Sequence, residues 1–209
     1  MKKLLALLMA LAMVFTFAAC GSEDKDDDKK EEKTTVSATT DSGKTDKPVT
    51  GVNSAEDAID EFFGSIDTLT LLELSGEDTD SLTEQDELYV AICDTIIFNS
   101  EYEVLTLDEE DDDTVYANVA IYVPNATTAM QLLQEKAAEY GATHPNLTQD
   151  EINELTLTLS EEVFASSEVD KITSETLVTV ISVDGKWVVD ITDELILDLI
   201  DIIFGNFTM

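Results

Sequence analysis

Residues 173–192 constrain the fold of this chain more than any other stretch. They place two β-prone runs on either side of Asp184 and Gly185, a dipeptide that accepts the positive φ values of a two-residue type I′ turn. Such a turn fixes the register of an antiparallel hairpin. The facing pairs are Val180 and Val189, Val178 and Ile191, and Ser182 and Trp187. One side of this hairpin is therefore expected to face a core, through Val178, Val180, Trp187, Val189 and Ile191.

The beginning of the chain has the pattern of an export signal. Two lysines precede an apolar run at 4–17 that is too short to span a bilayer comfortably. The next residues, Phe17-Ala18-Ala19-Cys20, resemble a bacterial lipobox, with Phe where Leu is more usual. This resemblance implies a signal peptide at 1–19 and a lipid on the Cys20 thiol. We therefore expect a protein anchored to the membrane through Cys20, at its extracytoplasmic face; the alternative is an ordinary secretory leader.

The balance of charge changes near residue 51. Eight of the 11 Lys lie before it and 37 of the 46 Asp and Glu lie beyond it, while Arg is absent. Three Lys against 37 acids give the C-terminal part a formal charge of −34, which repels nucleic acid and anionic lipid. Residues 20–52 nearly lack large apolar side chains, which predicts a disordered acidic and polar tether.

The chain has only two cysteines. Once Cys20 carries lipid, Cys93 has no partner for a disulfide. Cys93 lies among Leu88, Ile92, Ile96 and Ile97 on the apolar face of a predicted helix, so we expect it to be buried. No neighbouring basic residue would stabilise its thiolate.

Residues 53–209 predict one α+β domain, with a curved antiparallel sheet and helices on one of its faces. A first helix begins at Asn53 or Ser54, and a second begins with a capping box of Ser81 and Glu84. The remaining predicted helices are 126–140, 149–167 and 193–204, the second of these with a box of Thr148 and Glu151. The predicted strands outside the central hairpin are 101–107 and 114–123, joined by an acidic connection at 108–113.

The last predicted helix, 193–204, is apolar around most of its circumference. Thr192 caps it and Gly205 follows it, and about twelve residues are too few to cross a bilayer. We expect it to be buried. The alternative is an exposed apolar strip that binds a protein partner or forms a homodimer.

In this order the elements resemble a family of Gram-positive bacterial lipoproteins of unknown function with a nuclear-transport-factor-2-like (NTF2-like, cystatin-like) domain. The similarity is carried by the opening at 55–63, Tyr102-Glu103-Val104, the run at 115–123 and the segment at 184–189. It covers about residues 53–205. The resemblance implies a cone-shaped α+β fold and is nearly silent on activity, because this fold hosts enzymes, transport factors and inert modules.

Residues that could carry catalysis are few. His144, the only histidine, precedes Pro145 in a predicted loop, without a nucleophile nearby. The resemblance implies that Tyr102, Tyr116, Tyr122 or Asp190 could line a pocket, although no pair among them has a catalytic spacing. We therefore expect a non-enzymatic binding or interaction module that uses one face of the sheet or the last helix. The alternative is a small-molecule carrier or small enzyme with an NTF2-like pocket.

Two acidic segments, 77–80 and 108–113, are dense in oxygen ligands. Neither has the turn glycine and terminal glutamate of an EF-hand, so weak binding of divalent cations is the most that they predict. The sequence has no zinc pattern, no glycine-rich nucleotide loop and no basic patch for nucleic acid. We therefore expect no cofactor and no metal centre.

Overall fold

The structure, a computed structural model, describes residues 51–144 and 146–207. The predicted signal peptide, Cys20 and the predicted tether up to residue 50 lie outside the described residues. The elements in chain order are α1 (Ala55–Ser65), α2 (Thr68–Leu74), α3 (Glu84–Phe98), β1 (Glu101–Asp111), β2 (Thr114–Pro124), α4 (Ala126–Thr143), α5 (Gln149–Phe164), β3 (Lys171–Val183), β4 (Lys186–Val189), α6 (Asp193–Phe204) and a final 3-10 turn (Gly205–Phe207).

The four strands form one antiparallel sheet in the order β1-β2-β3-β4. Asp184 and Gly185 have φ values of 53° and 75°, as the type I′ turn requires. The predicted pairs of Val180 with Val189 and of Ser182 with Trp187 are confirmed. Val52 adds an isolated bridge to Trp187 at the β4 edge.

The predicted pairing of Val178 with Ile191 is wrong. β4 ends at Val189, and the last backbone contact with β3 is the 2.8 Å hydrogen bond from Asp190 N to Thr179 O. The chain must leave the sheet here because Thr192 caps α6, where its side chain accepts a hydrogen bond from Leu195 N. Ile191 is consequently 43% exposed instead of buried.

The hairpin of β1 and β2 is longer than the sequence predicts. β1 continues through Asp111, so the acidic connection 108–113 is mostly strand and only Asp112 and Asp113 form the turn. Register shifts lie between Val104 and Thr106 and between Glu109 and Asp111. The extra residue of the first shift lets Val104 and Leu107 lie on the same side of the sheet, although three positions separate them.

The helices pack on one side of the sheet. α1 contacts β3 and β4, α3 contacts β2, and α6 contacts β2 and β3, while α5 packs against α3 and α4. The alternate β2 residues Val115, Ala117, Val119, Ile121 and Val123 are buried under these helices. The α+β prediction with an antiparallel sheet is therefore confirmed. Among the described residues, no helix combines the length and apolar character that a bilayer span needs.

Several helix ends differ from the prediction. Residues 68–74, left unassigned by the sequence pattern, form α2, which Asp67 caps. α3 begins after Thr83, with Asp86 completing the box, because Ser81 Oγ donates to Asp78 within the preceding loop. α4 continues past Gly141 to Thr143. The predicted box of Thr148 and Glu151 is confirmed at the start of α5, although α5 ends at Phe164, three residues earlier than predicted.

Candidate interaction surface: the open face of the sheet

The side of the sheet away from the helices is left uncovered by every element in the described ranges. We call it the open face. Its members alternate with the residues of the covered side along each strand. They are Glu101, Glu103, Thr106 and Asp108 of β1, Thr114, Tyr116, Asn118, Ala120, Tyr122 and Pro124 of β2, Lys171, Thr173, Glu175, Leu177, Thr179, Ile181 and Val183 of β3, and Lys186 and Val188 of β4. Two-residue periodicity places all of them on one surface.

Side-chain hydrogen bonds tie neighbouring strands together across the open face. Tyr122 Oη donates to Glu103 Oε2 at 2.8 Å, and Asn118 Nδ2 donates to Glu175 Oε2 at 2.9 Å. The Glu103 carboxylate raises the pKa of Tyr122, because it accepts a hydrogen bond from the neutral phenol. Tyr116 has a raised pKa for the same reason, with Glu110 as its acceptor.

The open face is strongly negative. Glu103, Asp108 and Glu175 are exposed. Both lysines of this face are held by neighbours: Lys171 forms a 2.7 Å ion pair with Glu101, and Lys186, opposite Val183, donates to Asn53 at 2.7 Å. Apart from Glu101, the carboxylates of this surface therefore form no ion pair with a lysine of the described residues.

An apolar and aromatic strip runs among these acids. Leu177, opposite Asn118, is 62% exposed, and Tyr116 and Tyr122 are half-buried on the adjacent strand. The small side chain of Ala120, which is 2% exposed, leaves a shallow depression between Glu103 and Glu175. Carboxylates beside tyrosine rings suit a cationic group with an alkyl stem, which can make ion pairs and cation–π contacts.

The four residues considered for a pocket do not converge. Tyr116 and Tyr122 lie on the open face, whereas Tyr102 pairs with Ile121 on the covered side. There its ring stacks on Phe63 at a centroid distance of 4.6 Å, and its hydroxyl donates to Asp60 at 2.8 Å. Burial and this hydrogen bond raise the pKa of Tyr102 to about 12. Asp190 lies beyond β4, where its backbone N–H bonds to Thr179.

The other candidate groups have structural surroundings. Cys93 is 1% exposed, as the sequence predicts, and burial raises the pKa of its thiol to about 12. His144 follows α4, and its ring stacks on Tyr140 with centroids 4.1 Å apart. Among the residues that the structure describes, no group of three or more His, Cys, Asp or Glu could hold a metal ion.

The last helix is largely buried, through Leu195, Ile196, Leu199, Ile203 and Phe204. Its exposed side carries Leu197, at 62% exposure, between acidic residues that include Glu194 and Asp198. Two copies of this side would bring like charges together, which disfavours the homodimer considered from the sequence. The open face is therefore the better candidate surface.

The sequence pattern does not identify Glu103, Glu175 and Leu177 as members of the same surface as Asn118. The usable signal was the alternation in β2, which separates Tyr116, Asn118 and Tyr122 from the apolar face. Leu177 lies next to Val178 in the sequence, so its position opposite Asn118 follows only from the register of β2 and β3.

Comparison with known proteins does not assign a family. No protein-family model matches the chain, and no curated protein matches it. One solved structure with some likeness is a Bacillus subtilis protein described as a "putative lipoprotein (ycdA)", with a TM-score of 0.45 and 15% sequence identity. The alignment covers 70% of this chain and 46% of the other, so this chain spans less than half of that protein's length. A likeness of this size identifies neither a fold family nor an activity.

Proposed function

We propose that the protein is a lipid-anchored lipoprotein at the extracytoplasmic face of the cell membrane, with an NTF2-like domain that acts as a non-enzymatic interaction module. Its contact surface is the open face of the sheet. Its partner is a protein segment that carries several positive charges on flexible alkyl stems. The observation that carries the proposal is a sheet face that no described element covers, with tyrosine rings, an exposed leucine and carboxylates that, apart from Glu101, pair with no described lysine.

The sequence supports the anchoring half of this proposal. A basic and then apolar leader ends at Phe17-Ala18-Ala19-Cys20, and about thirty polar residues separate Cys20 from the folded part. A flexible segment of that length has an r.m.s. reach of roughly 30 Å. It would keep the open face accessible without fixing its orientation to the membrane.

The surface chemistry supports the binding half. Opposite charges raise the rate of encounter and select the partner, and this contribution weakens as salt is added. The separation of Tyr102 from Tyr116 and Tyr122 supports a non-enzymatic role, because catalysis needs acid, base or nucleophile groups within reach of one substrate atom.

The binding half is tested with the full-length chain in phosphatidylcholine nanodiscs and a fluorescent octalysine peptide as the probe. We expect the double substitution Glu103→Gln and Glu175→Gln to weaken peptide binding about fivefold, because two exposed ion pairs are lost. The matched control is Glu139→Gln with Glu154→Gln, which removes the same charge from exposed helix positions. Equal losses in both double variants would show that only the total charge matters, against a contact surface on the open face.

The anchoring half is tested by Cys20→Ser, with Cys93→Ser as the control. We expect Cys20→Ser to release the protein from the membrane fraction and to abolish labelling by an alkynyl fatty acid, whereas Cys93→Ser retains both. With Cys20 lipidated, the natural chain should show no reactive thiol when folded and one after unfolding, because Cys93 is then its only thiol and is buried. A membrane-bound Cys20→Ser protein would contradict the anchor.

A further inference from the structure

A cleft lies outside the sheet, between the loop that follows α2 and the first turns of α3. The cleft has a volume of about 360 Å³, within the range of about 300–1,000 Å³ that is typical of small-molecule sites. Its apolar lining consists of Leu69, Leu82, Val90 and Ala91, and Asp80 and Glu87 also line it. No lysine is part of this lining.

Local hydrogen bonds shape the loop that forms one wall of the cleft. Gly76 has a φ of 82°, which ends α2 and lets Glu77 N bond to Leu72 O at 3.0 Å. The Asp78 carboxylate then accepts from Asp80 N and from Ser81 Oγ, each at 3.1 Å. The wall that holds Asp80 and Leu82 is therefore built before any ligand arrives.

The two carboxylates that line the cleft differ from the nearby acidic residues in their hydrogen bonding. Asp78 and Asp86 are occupied with closing the loop and capping α3, whereas the side chains of Asp80 and Glu87 have no hydrogen-bond or ion-pair partner among the described residues. Two unpaired negative groups beside an apolar floor are complementary to a positive group attached to an apolar body.

We propose that this cleft binds a small organic ammonium ion, a primary amine on a compact apolar body. The body packs on Leu69, Leu82 and Val90, and the ammonium group donates hydrogen bonds to Asp80 and Glu87. Asp80 contributes more than Glu87, because Glu87 lies in the first turn of α3 and already interacts with the positive end of that helix. A neutral molecule of the same shape would gain the apolar contact alone.

The test uses the full-length chain in phosphatidylcholine nanodiscs, with methyl-labelled Leu and Val, and compares 2-phenylethylammonium with uncharged 2-phenylethanol. We expect the ammonium probe to shift the methyl signals of Leu69, Leu82 and Val90 saturably. Asp80→Asn should weaken this binding about fivefold and Glu87→Gln about twofold. Asp150→Asn, at an exposed helix position elsewhere, should leave the affinity unchanged.

Ala91→Phe is expected to fill the cleft and to abolish the saturable shifts while the remaining methyl spectrum stays native. If this variant fails to fold, the two carboxylate variants still decide the question. The proposal is overturned if 2-phenylethanol binds as tightly as 2-phenylethylammonium, if the shifts fall on other methyl groups, or if Ca²⁺ but not the ammonium ion shifts these signals. These results are independent of the octalysine measurement on the open face.

Discussion

The two faces of the sheet have opposite chemistry although they share the same backbone. Along β3, Val178 and Val180 are fully buried, while their neighbour Leu177 is 62% exposed. Along β2, Val119 is fully buried, while its neighbour Asn118 belongs to the open face. The comparison teaches that one face supplies the stability of the fold, and that the other leaves its side chains available for contact with a partner.

The largest expected effect comes from placing a carboxylate on each face of the sheet, at adjacent positions of β2. We expect Val119→Asp to destabilise the fold by more than about 4 kcal/mol, because an unpaired carboxylate would be buried under the helices. Asn118→Asp, one residue away on the open face, should cost only about 1 kcal/mol, because it loses the hydrogen bond to Glu175 and sets two exposed carboxylates side by side. Urea unfolding of the chain from residue 21 onward measures both, and similar losses would contradict an uncovered face.

A smaller effect is expected from truncation at adjacent positions of β3. Val178→Ala should cost about 2 kcal/mol, because it leaves a cavity in the core. Leu177→Ala should cost less than about 0.5 kcal/mol, because the leucine side chain is mostly in contact with water. If Leu177→Ala were instead the costlier change in urea unfolding, an unseen element would have to cover the open face.

The smallest effect concerns the tyrosines of the two faces. The folded pKa of Tyr102 is about 12, above the value of about 10 in an unfolded chain. Its contribution to stability is therefore complete below pH 10 and is lost as the pH rises towards 12. Tyr102→Phe should remove this part of the alkaline dependence and cost about 1 kcal/mol or less at pH 7.

Tyr122→Phe is the matched substitution on the open face, since it also removes a hydroxyl that donates to a carboxylate. We expect it to leave the alkaline step near pH 12 in place. Ultraviolet absorbance at high pH, combined with unfolding at each pH, separates the two residues. If the step were lost in Tyr122→Phe and kept in Tyr102→Phe, the group with the pKa of about 12 would be Tyr122 and not Tyr102.

The sequence predicted the parts of the fold that depend on local chemistry. The Asp184-Gly185 turn, the Thr148–Glu151 box and the Thr192 cap are each set by a few neighbouring residues. The sequence did not predict the elements whose formation depends on contacts between distant residues. Residues 68–74 are too short for a stable isolated helix, and Thr68 N is held by Asp94 Oδ1 at 2.8 Å from α3.

The candidate surfaces were less predictable than the fold. Which residues belong to the open face depends on how the strands pair. This pairing includes a bulge at Leu105 that no local sequence pattern predicts. The cleft joins Leu69 to Val90 across a loop, so neither residue marks it alone. Lipid attachment at Cys20, by contrast, can be predicted from local sequence alone, because a short leader and one cysteine suffice. It stays a prediction.

The arrangement of lysines bears on how the protein would respond to a protease that cuts after basic residues. Six lysines lie between Cys20 and residue 51, and the folded part contains only Lys136, Lys171 and Lys186, each held by a side-chain contact. An enzyme that cuts after basic residues would therefore sever the linker first. With the proposed lipid on Cys20, this cut would release an intact, highly acidic fragment that keeps both of its candidate binding surfaces.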